Sequence, residues 1–337
     1  MFPGSTASRI ERNPPVTAIF DQWLLNALSQ GFTDGLLGRV RYFALRAIRR
    51  LRLAFSDPVV STTLGKCHLQ LPLSHELPLY RRKFPAYSAN LGRITAEVKR
   101  KYPNLTMIDI GANVGDSVAM VRMFSDPPIL CVEGEPRFFQ LLAENTRHLA
   151  DIELEQTFLG ATGDHIRAIN VHRGNAQVFL GPEPGTGQIC TLREVLARHP
   201  RFASTKFLKL DAEGFDCKIL AAELELLKRN KPVLFFEYYP RSCQMAGQDA
   251  LQIFPALSEI GYSDLLIYQN IGTYFMTLSP DQVRSIEDLH HFLLDLEGFC
   301  DVVAFHKEDE DLAARVRAAE YAARARRNGR TPAGNAV

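Results

Sequence analysis

The 337-residue chain has almost no net charge: 39 Lys and Arg stand against 38 Asp and Glu, for a formal +1. No bulk field therefore draws it to nucleic acid, and an electrostatic partner has to be met by a local patch. A C-x-x-C pair is also missing. The six cysteines (67, 131, 190, 217, 243, 300) are scattered, several of them inside apolar runs where cysteine serves as a small hydrophobe. A reduced, cytoplasmic compartment is the expected setting. No apolar run approaches the ~20 residues that span a bilayer. Nor does an early segment show the uninterrupted apolar stretch of a secretory signal, since Asp21, Gln22 and Asn26 break the one candidate. The expectation is a protein neither exported by that route nor integral to a membrane.

Two glycine signatures are absent as well. The segment 107–118, MIDIGANVGDSV, is an apolar β-branched run ending in Asp109, then a small polar turn bracketed by Gly111 and Gly115, then a helical pattern. That order reads as strand, tight turn, helix, with glycine permitting φ > 0 and close backbone approach, and helix N–H groups facing a polar or anionic ligand. A nucleotide-like ligand is expected here. A dinucleotide fingerprint needs G-x-G-x-x-G, and position 113 is Asn; a P-loop needs Gly-Lys-Ser/Thr, and Gly115 is followed by Asp116 and Ser117. The next apolar run, 129–132, ends in Glu133, 24 positions after Asp109. A carboxylate at that strand tip is placed to accept both hydroxyls of an unphosphorylated ribose.

Together with later blocks, these elements resemble the FkbM-type S-adenosylmethionine-dependent methyltransferases, over residues 85–307. The blocks stand in the family's order: DIGANVGDS (109–117), VEGEPRFFQLLAEN (132–145), CTLREVL with FLKLDAEGFDCKIL (190–196 and 207–220), and PVLFFE (232–237). One departure is Asp216, where the family carries Glu; the charge is kept and the reach shortened. The resemblance implies a Rossmann-like class I methyltransferase fold, an α/β architecture with a mainly parallel seven-stranded sheet and helices on both faces. It also implies S-adenosyl-L-methionine as cofactor, and a hydroxyl of a sugar, surface-polysaccharide unit or polyketide-like small molecule as acceptor.

The pattern divides the chain into an N-terminal extension (1–84), the methyltransferase domain (85–307) and an Ala/Arg-rich helix with a disordered tail (308–337). Residues 1 to about 20 read as loose. Residues 36–55 read as a basic amphipathic helix, with Arg39, Arg46, Arg49, Arg50 and Arg52 among apolar residues at helical spacing. Such a helix either touches an anionic membrane surface or an assembly partner, or docks on the domain with its arginines solvated. The proline-punctuated stretch 58–85 reads as irregular with a strand or hairpin, placed to form a lid or acceptor wall, or a packed cover. Core strands are expected at 106–110, 129–133, 153–159, 207–211, 232–237, 264–269 and 301–306, and helices at 116–124, 136–148, 190–198, 215–229 and 249–260. An extra hairpin is expected within HIRAINVHRGNAQVFL. Strands separated by helices call for a covered, mainly parallel sheet.

Ligands of open α/β sheets bind at strand C-terminal ends, which nominates the residues there. Glu133 is assigned to the donor ribose. Gly111, Asn113 and Gly115 would form the turn under the donor's amino-acid portion, Asp109 would orient that turn or contact the amino group, and Asp116 joins the donor-binding set. Lys209, Asp211 and Glu213 occur at alternate positions, so a continuing strand would point them to one side. With Glu237 they would form a cluster acting as base and acceptor clamp. A divalent cation is the lesser alternative, and no metal is assigned. His75 or His306 could reach the acceptor. Competing functions are a degenerate methyltransferase fold serving as a binding or assembly subunit, against which the retained glycine turn, Glu133 and KLDAEG block argue, and a nicotinamide-dependent oxidoreductase, against which the missing glycine argues.

Overall fold

The protein is described here from a computed structural model, over residues 16–31, 35–160, 165–172, 174–181, 189–245 and 247–327. The expectations for residues 1–15 and for the last ten residues lie outside that range. In chain order, the extension comprises α1 (Val16–Ser29), α2 (Leu36–Phe55), β1 (Val59–Leu64), β2 (Cys67–Pro72) and α3 (Leu77–Lys83). Then follow α4 (Ala89–Lys101), β3 (Met107–Ile110), α5 (Asp116–Val121), β4 (Ile129–Val132), α6 (Pro136–Thr146), β5 (Ile152–Glu155), β6 (Phe158–Leu159), β7 (His165–His172), β8 (Asn175–Gly181) and β9 (Ile189–Cys190). The remainder is α7 (Leu192–Arg198), β10 (Phe207–Leu210), α8 (Asp216–Ala222), α9 (Leu224–Asn230), β11 (Val233–Tyr238), α10 (Pro240–Met245), α11 (Ile253–Glu259), β12 (Tyr262–Gln269), β13 (Thr273–Leu278), α12 (Val283–Asp295), β14 (Cys300–His306) and α13 (Glu310–Arg327).

The central sheet runs β13-β12-β14-β11-β10-β3-β4-β5. Strands β5, β4, β3, β10 and β11 are mutually parallel, β14 is antiparallel to β11 and β12, and β13 closes the edge antiparallel to β12. This is the expected mainly parallel sheet, with one strand more than the seven expected. The eighth, β13, follows β12 through a turn at Gly272, whose φ of 76° suits glycine. All residues of β3, β4 and β10 are buried, as strands covered on both faces require. Their side chains alternate between two cores. Ile108, Leu130, Leu208 and Leu234 pack under α7, α8, α9, α11 and α12, whereas Met107, Ile129, Phe207 and Val233 pack under α4, α5 and α13.

Several expected boundaries differ. The run 153–159 splits into β5 in the main sheet and β6, which leaves to pair with β9. The helix expected at 215–229 breaks at Glu223 (φ −114°) into α8 and α9. The β7–β8 hairpin is present. Residues 16–29, partly within the segment expected to be loose, form α1.

A third core joins the extension to the domain. Leu24, Leu25 and Leu28 of α1, Leu45 of α2, and Leu64, Leu69 and Leu71 of the β1–β2 hairpin pack with Ala119 and Met120 of α5 and Phe138 and Leu141 of α6. Two arginines of α2 are spent inside this unit. Arg52 forks onto Asp21 at 2.8 and 2.9 Å, and buried Arg49 reaches Leu73 O (2.9 Å), His75 O (3.4 Å) and Glu76 Oε1 (3.0 Å). The expectation that the α2 arginines form one solvated set is thereby corrected: the helix turns Arg49 inward, where three acceptors offset its desolvation. Arg49→Ala should cost about 2–3 kcal/mol, because a charge-assisted anchor is lost and buried carbonyls are left without a donor. Urea denaturation measures the loss, and limited proteolysis should show cleavage appearing first within 73–84.

A candidate donor and acceptor cavity at the strand tips

Chain connection reverses between β3 and β10: from β3 the chain passes outward to β4 and β5, while β10 leads the other way to β11. Open sheets bind ligands at such a switch point, and here the strand ends open into a cavity of about 430 Å³. Its floor is an ion pair. Asp109 and Lys209 stand in register on the two strands, with Nζ 2.9 Å from Oδ1, and both are buried. Lys209 also donates to Gly111 O (3.3 Å), and Ser117 donates to the other Asp109 oxygen. Burial works against the ammonium, but Asp109 and Asp211 together hold its pKa above the usual lysine range. Asp109 itself lies beneath the turn rather than in the cavity lining.

Above this floor the turn is rigid. Gly111 (φ 72°) packs so closely on the next strand that a Cβ would lie 1.9 Å from the Asp211 carbonyl oxygen. Asn113 adopts φ 47° and is bonded on every side: its N–H donates to Glu133 Oε2 (2.8 Å), Oδ1 accepts from Val114 N (2.8 Å), and Nδ2 donates to Gly174 O (2.7 Å). His75 Nδ1 accepts from Leu77 N (3.2 Å), which leaves the ring proton on Nε2 to donate to Asn113 Oδ1 at 3.3 Å. Burial lowers the His75 pKa, so the ring is neutral. Glu133 Oε1 accepts from Glu135 N (2.7 Å), and each carboxylate oxygen keeps a lone pair for a ligand. Burial raises the Glu133 pKa to about 7 despite those two donors. Beside it, Gly134 lets the Phe158 ring lie against the backbone, 2.3 Å from where a Cβ would be. The result is a flat apolar wall next to a hydroxyl acceptor.

The opposite wall is acidic. Asp211, Glu213, Glu237 and Asp301 line the cavity together with Tyr87. Asp211 keeps 48% side-chain exposure to the lumen and lies 3.7 Å from Lys209 Nζ. Glu237 and Asp301 face each other across β11 and β14. Desolvation, reinforced by the neighbouring carboxylates, pushes Glu213 to about 8 and Asp301 to about 7, lifts Glu237 well above its ordinary value and raises Asp211. Among the described residues no three acidic, His or Cys side chains converge as a metal site.

The expected alternation of Lys209, Asp211 and Glu213 does not continue past Leu210, where the strand ends. Glu213 instead reaches the cavity from a left-handed turn (φ 51°). Asp216 is buried behind that turn, accepting from Ala212 N at 3.2 Å. Gly115 caps α5 at φ 87°, and Asp116 lines the cavity from its first turn. His306 belongs elsewhere: β14 runs antiparallel, so its end lies at the opposite sheet edge, where His306 packs on Tyr262. For the same reason its start, Asp301, arrives at the site. Sequence reasoning missed Asp301 and Phe158; the signal for Asp301 was the one acid within CDVVAFH.

Residues 109–263 match the profile of the methyltransferase FkbM domain. This part of the chain is similar to an FkbM methyltransferase domain. No curated protein matches the chain. Among solved structures it is similar to methyltransferase FkbM from Methylobacillus flagellatus (12% identity, 85% of this chain and 60% of that one, TM-score 0.35). It is also similar to M. jannaschii TYW2 in complex with AdoMet (11%, 74% and 86%, 0.34) and to precorrin-6y C5,15-methyltransferase from Geobacter metallireducens (12%, 60% and 80%, 0.32).

The acidic wall has a measurable cost. Asp301, with a folded pKa of about 7 against 3.8, binds its proton more tightly when folded. Its contribution is therefore fully present below pH about 4 and lost as pH rises through about 7. Asp301→Asn, neutral at every pH, should raise the thermal midpoint at pH 8 by about 2 °C or more and leave it nearly unchanged at pH 4. Calorimetric scans at the two pH values decide it.

Proposed function

We propose that the cavity binds S-adenosyl-L-methionine and that the protein transfers its methyl group to a hydroxyl oxygen of a small-molecule or glycan acceptor. The observation that carries this reading is the division of one cavity into two chemically distinct walls. One has a rigid glycine turn, a paired-hydroxyl acceptor in Glu133 and an apolar plate in Phe158. The other has carboxylates raised towards neutral pH.

When bound, S-adenosyl-L-methionine supplies a methyl group on a sulfonium, open to in-line displacement. Glu133 accepts the two ribose hydroxyls, Phe158 and Gly134 flank the base, and Gly111 and Asn113 present backbone to the amino-acid portion. A cavity of about 430 Å³ falls within the ~300–1,000 Å³ usual for such ligands. Asp211, the carboxylate most open to the lumen, accepts the proton of the attacking hydroxyl. Lys209 holds it in place and stabilises its charged form. Glu213, Glu237 and Asp301 clamp further hydroxyls of the acceptor, serving as donors when protonated and acceptors when not. A general base of this kind contributes about 10²–10⁴ in rate, and alignment of the reacting atoms about 7–11 kcal/mol.

Two experiments test the two halves. S-adenosylhomocysteine should bind in calorimetry, more tightly as pH rises from 6 to 8, because the ribose pair needs Glu133 ionised and its pKa is about 7. Glu133→Ala should weaken it by about 10²-fold or more, given ~1.5–3 kcal/mol per charge-assisted hydrogen bond. Absence of binding by the intact protein would favour a binding or assembly role for the fold. The acceptor half is read by transfer of labelled methyl to a panel of sugars and polyols. Asp211→Asn should lower turnover by about 10²-fold or more while donor affinity stays within a few-fold. A parallel loss of donor affinity would reduce Asp211 to a structural partner of Lys209.

A further inference from the structure

The helix α2 is built with its apolar seam facing away from the protein. Its inward stripe is Gly38, Leu45 and Arg49, all buried. On the opposite side, at spacings of three, four and eight, Leu36, Val40, Phe43 and Leu51 are 78%, 58%, 62% and 65% exposed. A helix that merely docked on the domain would bury this seam and expose the polar residues. Against α2 packs α1, which adds exposed Phe20 and Trp23, their rings 5.8 Å apart. Charge accompanies the apolar surface in one sign. Arg39, Arg46 and Arg50 flank the seam in solvent, and α2 contains no acidic residue. The acid of α1, Asp21, is buried under Arg52.

We propose that α1 and α2 form a peripheral docking face for an anionic lipid bilayer. Interfacial helices combine Trp, Phe and Leu with flanking cations in this way, the apolar groups entering the acyl boundary and the arginines meeting acidic headgroups. A second copy is the poorer occupant, since apposing two such faces would bring exposed guanidinium groups together with no acid of α2 to pair them. Contact is peripheral: no helix among the described residues is long and apolar enough to cross a membrane. The inference is independent of the methyl-transfer reading, because none of these residues lines the cavity at the strand tips.

Flotation of the full-length protein with vesicles tests it. The protein should float with vesicles of phosphatidylcholine and phosphatidylglycerol in equal parts at about 0.1 M salt, and binding should fall at about 1 M as the Debye length shrinks from ~10 to ~3 Å. Phe43→Glu with Leu51→Glu, and separately Arg46→Gln with Arg50→Gln, should each weaken binding about tenfold or more with an unchanged thermal midpoint. The proposal is overturned if the intact protein stays in solution at the lower salt, if pure phosphatidylcholine binds equally well, or if the Phe43/Leu51 variant still floats. Light scattering that shows a dimer dissociated by Phe43→Glu would also overturn it, in favour of a second copy.

Discussion

Two opposite charges stand side by side in register at the ends of β3 and β10, and neither can be discharged alone without stranding the other in a low-dielectric interior. The Asp109–Lys209 pair also does more than satisfy itself. Lys209 holds the Gly111 carbonyl and faces Asp211, while Asp109 takes the Ser117 hydroxyl from the first turn of α5. Turn, helix start and the segment after β10 are thereby tied to one buried point. A pair of well-packed apolar residues could serve the core as well, but it would leave the Gly111 carbonyl without the Lys209 donor and Asp211 without a counter-charge. The ion pair is therefore understood through the site it positions rather than through net stability.

From that point the cavity acquires two unlike walls. The donor wall is fixed by backbone: Asn113 in a left-handed conformation, held by Glu133, Gly174 and His75, has little freedom to adjust to a ligand. The acidic wall is fixed by topology, since Glu237 and Asp301 are brought opposite each other by the antiparallel pairing of β11 with β14. Like charges directly across strands destabilise a sheet. Their persistence here has an outlet in protonation, which the raised pKa values of Glu237 and Asp301 express. Asp301, with a pKa of about 7, can either donate or accept, which suits a polyhydroxyl ligand better than a permanently ionised group would.

Much of this was legible in the sequence, for definite reasons. Strand periodicity and the Gly111–Gly115 turn carry their geometry locally, because φ > 0 and close approach are demands that few residues meet. Glu133 was legible because a strand tip and its distance from the turn are both readable along the chain. Asp301 was not, because strand direction decides which end of β14 faces the ligand, and nothing local in CDVVAFH states that direction. The alternation of Lys209, Asp211 and Glu213 failed for a related reason: periodicity holds only while the strand lasts, and Glu213 lies in a left-handed turn beyond it. Arg49 shows the limit for charge. On a helical wheel it is one arginine among several, and only the placement of Leu73, His75 and Glu76 turns it from a solvated cation into a buried anchor.

That anchor gives the N-terminal extension a physical relation to the cavity. Arg49 grips the backbone of Leu73 and His75, the His75 ring bonds Asn113, and the Asn113 N–H bonds Glu133. Three links thus run from the inner face of α2, through His75 and Asn113, to the Glu133 carboxylate. None is a flexible surface contact: Arg49, His75 and Glu133 are all buried. A force or a partner acting on the outer face of α2 would meet a helix already locked to this chain of bonds. Contiguity of this kind is only the material for coupling, since coupling also needs an element with two arrangements that both ends can bias. The segment between β2 and α3 is where such an element would have to lie, because among the described residues it is the stretch that touches both Arg49 and Asn113.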